Sequence, residues 1–411
     1  MTPSSHPRIP SPGGPRPAFS LQVHVRAVCA PEVAAVIASV PGAVMVESDQ
    51  DPDTDLCRVS ADTDGLPALL RLHTLLRQRL GTELIHLGDP ALDAAATGKI
   101  TQRLCVPVGT ARQRALLDTE ADHRVIQHLI LNPDSVDSCT GRRRRIALIS
   151  NASAVADLGP LPAAAVLPAL ESAAAHLRRT TGLDVHPLPI TAHTPQDLAA
   201  TAAALAPGFA AVCLSHTHPA YVGAVSAALE HTGTPLVDTT GHAHAVAVAA
   251  ATLNALRHKT VPTSMARVVL AGADRGGDLS GLLLSLGVSS LTLYETSARP
   301  QGPAGPAGLL VDLTGGVPAP EDGTPVLRAC PQKLPTLQET ARRPHPLHAL
   351  PALLATAAQT RRLTHDNLLT VARALANLAG PSQLLPPIDQ PGLAQALTAA
   401  VARDSAHSTD A

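Results

Sequence analysis

The chain has 411 residues and a mass of 42.1 kDa, which predicts two or three domains. Its 31 basic and 33 acidic residues give a formal net charge of −2, so no basic field is available to hold a nucleic acid backbone. Two Tyr, two Phe and no Trp are too few aromatic side chains for a base-stacking surface. The longest uncharged run, residues 198–229, is broken by prolines and a glycine. Nucleic acids and membranes are therefore excluded as expected partners.

The six cysteines contain no C-x-x-C pair. Their scattered spacing is typical of neither a disulfide framework nor a zinc ribbon. No apolar secretory segment opens the chain. Together these features predict a cytoplasmic protein. Residues 1–18 are rich in proline and serine and are expected to form a disordered tail, and residues 404–411 are expected to form a second tail.

Residues 19–90 have the periodicities of a small α/β domain. The order βαββαβ within this length is typical of the ferredoxin-like split βαβ unit, and the segment resembles an ACT-type regulatory domain. The turn at 27–31, where such domains carry a glycine beside their effector, has none, which favours a dimerisation or packing role. The predicted strands are 19–26, 43–47, 56–61 and 83–87, and the predicted helices are 31–40 and 66–80.

Residues 98–403 alternate between strand and helix patterns, which predicts mostly parallel sheets covered by helices on both faces. We divide this part into a domain at 98–230 and a second domain at 231–403. The predicted strands are 146–150, 185–188, 210–214, 236–238, 267–271 and 309–313, and the predicted helices include 163–179, 194–205, 220–231, 242–257, 278–286, 347–360, 365–378 and 393–402.

Seven stretches in a fixed order give this chain a resemblance to bacterial malic enzymes. They are G-D-P…G-K-I at 88–100, A-P-G-F at 206–209, T-P-L-V-D-T-T-G-H-A-H-A at 234–245, A-T-L-N-A-L at 251–256, V-V-L-A-G-A-D-R-G-G at 268–277, A-R-A-L-A-N-L at 372–378 and L-P-P-I-D-Q-P at 385–391. The resemblance implies a substrate-side α/β domain at 98–230, a Rossmann-like NAD(P)-binding domain at 231–403 and a homodimer. Malic enzymes oxidise and decarboxylate malate to pyruvate with NAD(P) and a divalent cation.

The positions that carry out proton transfer in malic enzymes have lost their side chains here. The family's lysine base corresponds to Ala173, and residues 103–130 contain no tyrosine to serve as the proton donor. The three lysines elsewhere, Lys99, Lys259 and Lys333, are expected to have surface roles.

The positions that bind the divalent cation in the family have also changed. Four carboxylates are expected there, and none remains, although Asp238 is adjacent. The residues now at these positions are Ser215, His216, Thr239 and Thr240. A Mg²⁺ or Mn²⁺ site is therefore not expected. The histidines His216, His218 and His242 leave open an alternative site for Zn²⁺ or another transition metal. Strand alternation would put His216 and His218 on one face.

The segment from Gly272 to Gly277 follows a predicted strand and opens a helix, as a dinucleotide-binding fingerprint does. Glu295 ends the next strand, where the acid that binds the ribose is expected. Asp274, however, occupies the position of the second glycine, where its carboxylate would repel the pyrophosphate. The turn is thus predicted to be a degenerate NAD(P) site.

The family's A-N-P segment reads Ala329-Cys330-Pro331, and its later asparagine pair falls in 343–346 without an asparagine. Losses at so many positions of one pocket favour a pseudoenzyme with a scaffold or regulatory role, acting as a homodimer or with an active homologue. Two alternatives stay open: a functional NAD-dependent malic enzyme, and altered chemistry at a histidine-bound metal.

Overall fold

The computed structural model describes residues 16–51, 54–96, 98–297, 308–321 and 323–409. It divides into two compact units, unit 1 (Met1–Thr101) and unit 2 (Gln102–Ala411). None of the helices in the described ranges is long and apolar enough to span a bilayer.

Unit 1 has the predicted order of two helices and four strands, with one further helix. Its antiparallel sheet has the order β2-β3-β1-β4, the ferredoxin-like arrangement. The first strand begins at Arg16, so the last three residues of the predicted tail are strand, and residues 1–15 lie outside the described part. The elements are β1 (Arg16–Arg26), α1 (Ala30–Ser39), β2 (Ala43–Asp51), β3 (Leu56–Thr63), α2 (Leu66–Leu80), β4 (Leu84–Gly88) and α3 (Pro90–Ala96).

The core of unit 1 forms because apolar residues alternate along β1 and repeat at helical spacing along α2. Val23 and Val25 from β1 and Leu72 and Leu76 from α2 are all fully buried. The assignment to the ACT type stays a prediction.

Unit 2 begins with a helical segment that does not pack into a core. Its helices are α4 (Ala111–Ala115), α5 (Thr119–Leu131) and α6 (Val136–Cys139). A capping box between Thr110 and Gln113 starts α4, and Asp118 caps α5. No residue from 102 to 134 is buried. We call residues 102–134 the arm.

The first parallel sheet of unit 2 has the order β6-β5-β7-β8. β8 pairs with β7 in this sheet, so the predicted domain boundary at 230/231 is wrong because it separates β8 from its own sheet. The elements are β5 (Arg145–Ser150), α7 (Leu167–Thr181), β6 (Asp184–Pro189), α8 (Pro195–Leu205), β7 (Ala211–Leu214), α9 (Pro219–Glu230) and β8 (Leu236–Asp238).

The second parallel sheet has the order β10-β9-β11-β12, and a nearly all-buried helix, α10, leads into it from the first sheet. The last helix extends to Thr409. The prediction of a tail from residue 404 is therefore wrong for residues 404–409, which are helical. The elements are α10 (Ala245–His258), β9 (Arg267–Ala271), α11 (Leu279–Ser285), β10 (Ser290–Tyr294), β11 (Gly308–Asp312), β12 (Val326–Arg328), α12 (Leu350–Thr360), α13 (His365–Leu378) and α14 (Leu393–Thr409).

The two sheets establish the predicted α/β class with Rossmann-like parallel sheets. α12 returns from the second sheet to pack on β7 and β8 of the first, and α13 packs on α10. The apolar sides of these helices bury the core between the sheets, and this packing fixes where the strand ends meet.

Candidate functional site

The loops that follow β5, β7, β8 and β12 meet around one small cavity. In an open α/β sheet, ligands bind outside the carboxyl ends of the strands, so this is the expected position of a site. The cavity measures about 40 Å³, which is room for only a few waters, since each needs about 10–15 Å³ of such space. Its lining includes Ala154, Ala156, Ser215, His216, Thr217, Pro219, Thr239, Thr240, Pro331, Gln332, Leu334 and Pro346.

Direct hydrogen bonds between these loops close the cleft. The Asp157 amide donates to the Gln332 carbonyl at 2.8 Å, which joins the loop after β5 to the segment after β12. The Arg275 guanidinium donates to Oε1 of the same glutamine at 3.1 Å. The Ala154 amide donates to the His216 carbonyl at 3.1 Å. The two sheets are therefore joined where a substrate cleft would open.

His216 and His218 do not act as a pair. The alternation expected of a strand does not reach them, because β7 ends at Leu214 and His216 has a φ of +51°. His216 is half-buried, and burial lowers the pKa of its imidazole. His218 is exposed and caps α9, with its Nδ1 accepting from the Ala220 amide at 3.2 Å. The prediction that both rings share one face is wrong.

Asp238, the remaining carboxylate near the family's cation positions, is bonded to its own turn. Thr239–His244 form a single π-helical turn, and the Asp238 carboxylate accepts from the amides of Thr240 at 3.3 Å and Gly241 at 2.6 Å. The Asp238 amide donates to Nδ1 of His242 at 3.0 Å. Burial raises the pKa of the Asp238 carboxyl, against the opposing effects of His242 and the two amides.

These side chains do not form a metal site. Throughout the described ranges, no group of three or more His, Cys, Asp or Glu side chains is placed to hold a metal ion. Nε2 of His242 faces Asp278 at 3.7 Å rather than the other two candidate histidines. The Thr239 hydroxyl donates to the Leu214 carbonyl at 2.7 Å. The described residues therefore do not fit a divalent cation as they are placed, and His216, His218 and His242 are not grouped there as three ligands.

The predicted dinucleotide turn has the expected backbone, but the Asp274 side chain forms hydrogen bonds within the protein. Gly272 follows β9 in the left-handed region, with φ +80°. The Asp274 carboxylate accepts from the Thr296 amide at 2.8 Å and from its hydroxyl at 2.9 Å. These bonds outweigh partial desolvation and hold the pKa of Asp274 below its usual value. Glu295 is exposed directly after β10. Asp274 thus fastens the turn to the loop beside Glu295.

The end of the same turn packs against the turn after β8. Gly277 has a φ of +53°, and a Cβ built on it would lie 2.3 Å from Cα of Gly241. The Asp278 amide donates to the Gly241 carbonyl at 3.2 Å. With the Asp274 carboxylate in the turn and a backbone contact at its end, the residues present do not fit a dinucleotide.

The residues considered for proton transfer lie on separate segments of the chain. Ala173 is half-buried on α7. Lys259 donates from Nζ to the Gly308 carbonyl at 2.9 Å, a bond between α10 and β11. Lys333 is exposed, and Lys99 lies in unit 1.

Neither tyrosine supplies the missing proton donor. Tyr221 on α9 donates its hydroxyl to the His193 carbonyl at 3.1 Å. Tyr294 lies in the last position of β10, in the second sheet. The segment 103–130, where the family's tyrosine is expected, is part of the arm.

His244 and His348 are buried and His345 is half-buried, and none of the three was assigned to the site from the sequence. Nε2 of His244 is 2.9 Å from the Ala329 carbonyl, so this ring joins the turn after β8 to the end of β12. Burial lowers the pKa of His244 to about 4, that of His345 to about 3 and that of His348 to about 4. Nδ1 of His244 and Nε2 of His348 have no hydrogen-bond partner in the described chain. The H-x-x-H spacing at 345–348 was the available signal.

Comparisons with known proteins point to one family. No family model matches the chain. An NAD-dependent malic enzyme of Geobacillus stearothermophilus is 25% identical over 218 residues, which cover 53% of this chain and 46% of that enzyme. An NADP-dependent malic enzyme of Halomonas elongata is 28% identical over 177 residues, 43% of this chain and 42% of that enzyme. The chain thus spans about half the length of these curated relatives.

The solved structures that are similar share the fold. An NAD-dependent malic enzyme of Thermotoga maritima matches with a TM-score of 0.65 and 19% identity over 77% of this chain and 99% of its own. A malic enzyme of Entamoeba histolytica matches with a TM-score of 0.66 and 16% identity over 77% of this chain and 80% of its own.

Proposed function

Because this chain is a diverged relative of the malic enzymes, we propose that it keeps their fold without their reaction and serves as a noncatalytic scaffold or regulatory protein. Oxidative decarboxylation of a 2-hydroxy acid requires a base, a proton donor, a cation that stabilises the enolate and a nicotinamide pocket. This chain lacks all four.

The closed cleft is the observation that carries this proposal. Malate and a nicotinamide need a space far larger than the cavity of about 40 Å³ at the strand ends. Hydrogen bonds through Asp157, Arg275 and Gln332 hold the surrounding loops together. Opening the cleft would break these bonds and the contact between Gly241 and Gly277.

The side chains around the cleft support the same conclusion. Ser215 and Thr239 replace carboxylates, and Asp238 is buried and held by backbone amides. Ala173 has no group that could take a proton. Asp274 holds its carboxylate where a diphosphate would lie. The Thr239 hydroxyl and the Asp274 carboxylate both have hydrogen-bond partners within the protein, so neither is left unsatisfied for a ligand.

The scaffold role implies partners of a particular kind. The family resemblance favours a cytoplasmic homodimer, or a heteromer with an active homologue that this chain would stabilise or regulate. A noncatalytic chain remains under selection for its fold and its assembly surface, while selection on the catalytic positions is released.

The reaction itself provides the test. Purified protein with L-malate, Mn²⁺ and either NAD or NADP should produce no reduced cofactor above the background of a heat-denatured sample. An active malic enzyme under identical conditions is the positive control. Turnover on the order of 1 s⁻¹, near the ordinary range of enzymes, would contradict the proposal and favour a functional malic enzyme. Activity that appears with Zn²⁺ and is lost in a His216→Ala variant would instead favour the histidine-metal alternative.

A further inference from the structure

Seven arginines lie in three segments that meet at the amino ends of β6, β5 and β7. These segments are the turn that leads into β5, the end of α7 and the end of α12. The three strands are neighbours in the sheet, so their starts lie within about 10 Å of one another. The cleft lies at the opposite, carboxyl ends of the strands. We call the arginines the basic edge, and they are Arg142, Arg143, Arg144, Arg145, Arg178, Arg361 and Arg362.

One carboxylate on this edge already binds two of the arginines. Asp184, the first residue of β6, forms ion pairs with Arg144 and Arg178. Nε of Arg144 lies 3.7 Å from one carboxylate oxygen, and Nη1 of Arg178 contacts the other. Both arginines stay about half exposed, at 57% and 46% of their side chains. The basic edge thus presents arginines to solvent in a geometry that binds a carboxylate.

The end of α12 joins the edge through the starts of β5 and β7. Nη1 of Arg361 donates to the Ala210 carbonyl at 2.7 Å, directly before β7. The Ala210 amide in turn donates to the Arg145 carbonyl at 2.8 Å, at the first position of β5. Burial and the nearby charge of Arg142 lower the pKa of the Arg361 guanidinium. The arginines of the two segments are therefore close enough to repel one another.

Ion pairs within the protein account for only part of the basic edge. Nη1 of Arg142 lies 3.5 Å from the Asp137 carboxylate. Within the described residues, no hydrogen bond or ion pair engages the side chains of Arg143, Arg145 or Arg362, and all three residues are exposed. Like charges held close together oppose folding. An anionic partner at this edge would offset that repulsion.

The size of the basic edge favours an acidic segment of a protein over a nucleic acid. An extended peptide advances about 3.3 Å per residue, so a stretch of roughly six acidic residues spans the edge and the reach of its side chains. A nucleic acid would continue beyond the edge onto a chain whose net charge is −2. Two Phe and two Tyr in the whole sequence also leave few rings on which bases could stack.

We infer that the basic edge is a docking surface for a segment of a partner protein that carries a run of aspartate and glutamate side chains. Carboxylates of this segment pair with Arg143, Arg145 and Arg362, as Asp184 pairs with Arg144. The inference goes beyond the proposed function, because the edge lies at the opposite end of the strands from the cleft and can bind such a segment whether or not the cleft is catalytic.

Binding of an acidic peptide to the full chain tests this inference. A fluorescein-labelled peptide of about eight alternating Glu and Asp residues, followed by anisotropy, should bind with a dissociation constant of about 10–100 µM in about 50 mM NaCl. Because salt screens exposed charges, the constant should rise at least about tenfold in about 500 mM NaCl. The matched peptide, with Gln and Asn in place of Glu and Asp, should show no binding at about 1 mM.

Charge reversal locates the binding on the basic edge. Arg143→Glu and Arg362→Glu should each weaken peptide binding by about tenfold, because an attraction becomes a repulsion. Arg342→Glu makes the same charge change at an exposed arginine of unit 2 outside the edge, and it should leave the constant within about twofold. All three variants should keep the circular dichroism spectrum of the unmodified protein.

The stability of a double variant separates a binding role from a structural one. Arg143 and Arg362 repel their neighbours in the folded chain, so the variant with both changes to Glu should unfold at a urea midpoint no lower than that of the unmodified protein. Arginines that held the three segments together would lower the midpoint when replaced.

Four results with the peptide and the variants would overturn the inference. They are a lack of binding by the acidic peptide, binding that salt does not weaken, equal losses in Arg342→Glu and Arg143→Glu, and a lower urea midpoint in the double variant. A DNA duplex of about 20 base pairs that binds more tightly than the peptide, and loses this binding in Arg143→Glu, would also overturn it, in favour of a nucleic acid. The malate assay has no bearing on these results, so failure of the docking surface and failure of the proposed function are distinguishable.

Discussion

The two parallel sheets of unit 2 have equivalent strand orders, but their carboxyl ends have diverged in different ways. At the end of the first sheet, Ser215 and Thr239 stand where we expect the family's cation-binding carboxylates. At the end of the second sheet, the backbone remains, with Gly272 and Gly277 both at positive φ, and the change is concentrated at Asp274. The comparison shows which features of a binding site the fold itself requires.

A physical reason accounts for this difference. Gly272 and Gly277 adopt conformations that other residues reach only with strain, and Gly277 also meets Gly241 at close range, so the fold needs them without any nucleotide. A cluster of buried carboxylates is costly to the fold unless a cation neutralises it. Once the cation is not required, hydroxyl side chains that bond to the backbone, such as Thr239, are the more stable occupants.

The largest expected effect comes from protonating three histidines of unit 2, of which His244 joins the two sheets. The folded chain holds the pKa values of His244, His345 and His348 at about 4, 3 and 4, whereas an unfolded histidine titrates near 6.5. Below pH 6.5 the unfolded chain therefore binds protons that the folded chain does not. Stability present at pH 7.5 should be lost as the pH falls towards 4, by about 2 kcal/mol for each ring at pH 4.5.

Urea unfolding between pH 7.5 and 4.5 measures this loss. His345→Asn removes one of the three groups and should flatten the pH dependence, since Asn retains an oxygen for the Leu347 amide that His345 now binds at 3.1 Å. His218→Asn changes an exposed histidine and should leave the dependence as it is. An unfolding midpoint that does not move over this range would show that the rings are not held neutral.

A smaller effect is expected from the contact between the two turns. Gly277→Ala would place a Cβ 2.3 Å from Cα of Gly241 at a φ of +53°, and one of the two backbones must then move. We expect a loss of about 3 kcal/mol in the free energy of unfolding. Gly233→Ala has a similar φ, +63°, with no atom within 4 Å of the added Cβ, and is the matched control.

The control variant should lose about 1 kcal/mol, the cost of the left-handed backbone alone. Chemical denaturation of both variants at pH 7.5 gives the comparison. Equal losses in the two variants would mean that the turns are not held against each other in solution, and the cleft would then be free to open.

Local patterns predicted much of the fold, because period and turn chemistry act over short distances. The bounds of α2, α13, β8 and β9 agree with the predicted ones. The predicted orientation of His216 and His218 was wrong because β7 ends at Leu214, before both residues. Strand alternation therefore does not apply to either side chain. An apolar period along α5 indicates a face to be buried, but it does not say which chain buries it.

The sequence allowed predictions about the side chains of the candidate site but not about its geometry. The replacements at Ala173, Ser215 and Asp274 follow from the order of motifs along the chain. The sequence did not predict that Asp274 binds Thr296 or that His244 contacts Ala329. Both contacts depend on loops that packing between the sheets brings together. No periodicity in a single segment reports such long-range contacts.

Titration of the unmodified protein with NADH is the most direct test of the claim that the cleft has no cofactor site. Isothermal calorimetry, with an active malic enzyme as the control, should show no saturable heat up to about 1 mM NADH, because the Asp274 carboxylate stands at the pyrophosphate position and the turn is closed against Gly241. A dissociation constant in the micromolar range, with NADH displaced by NAD, would contradict the account.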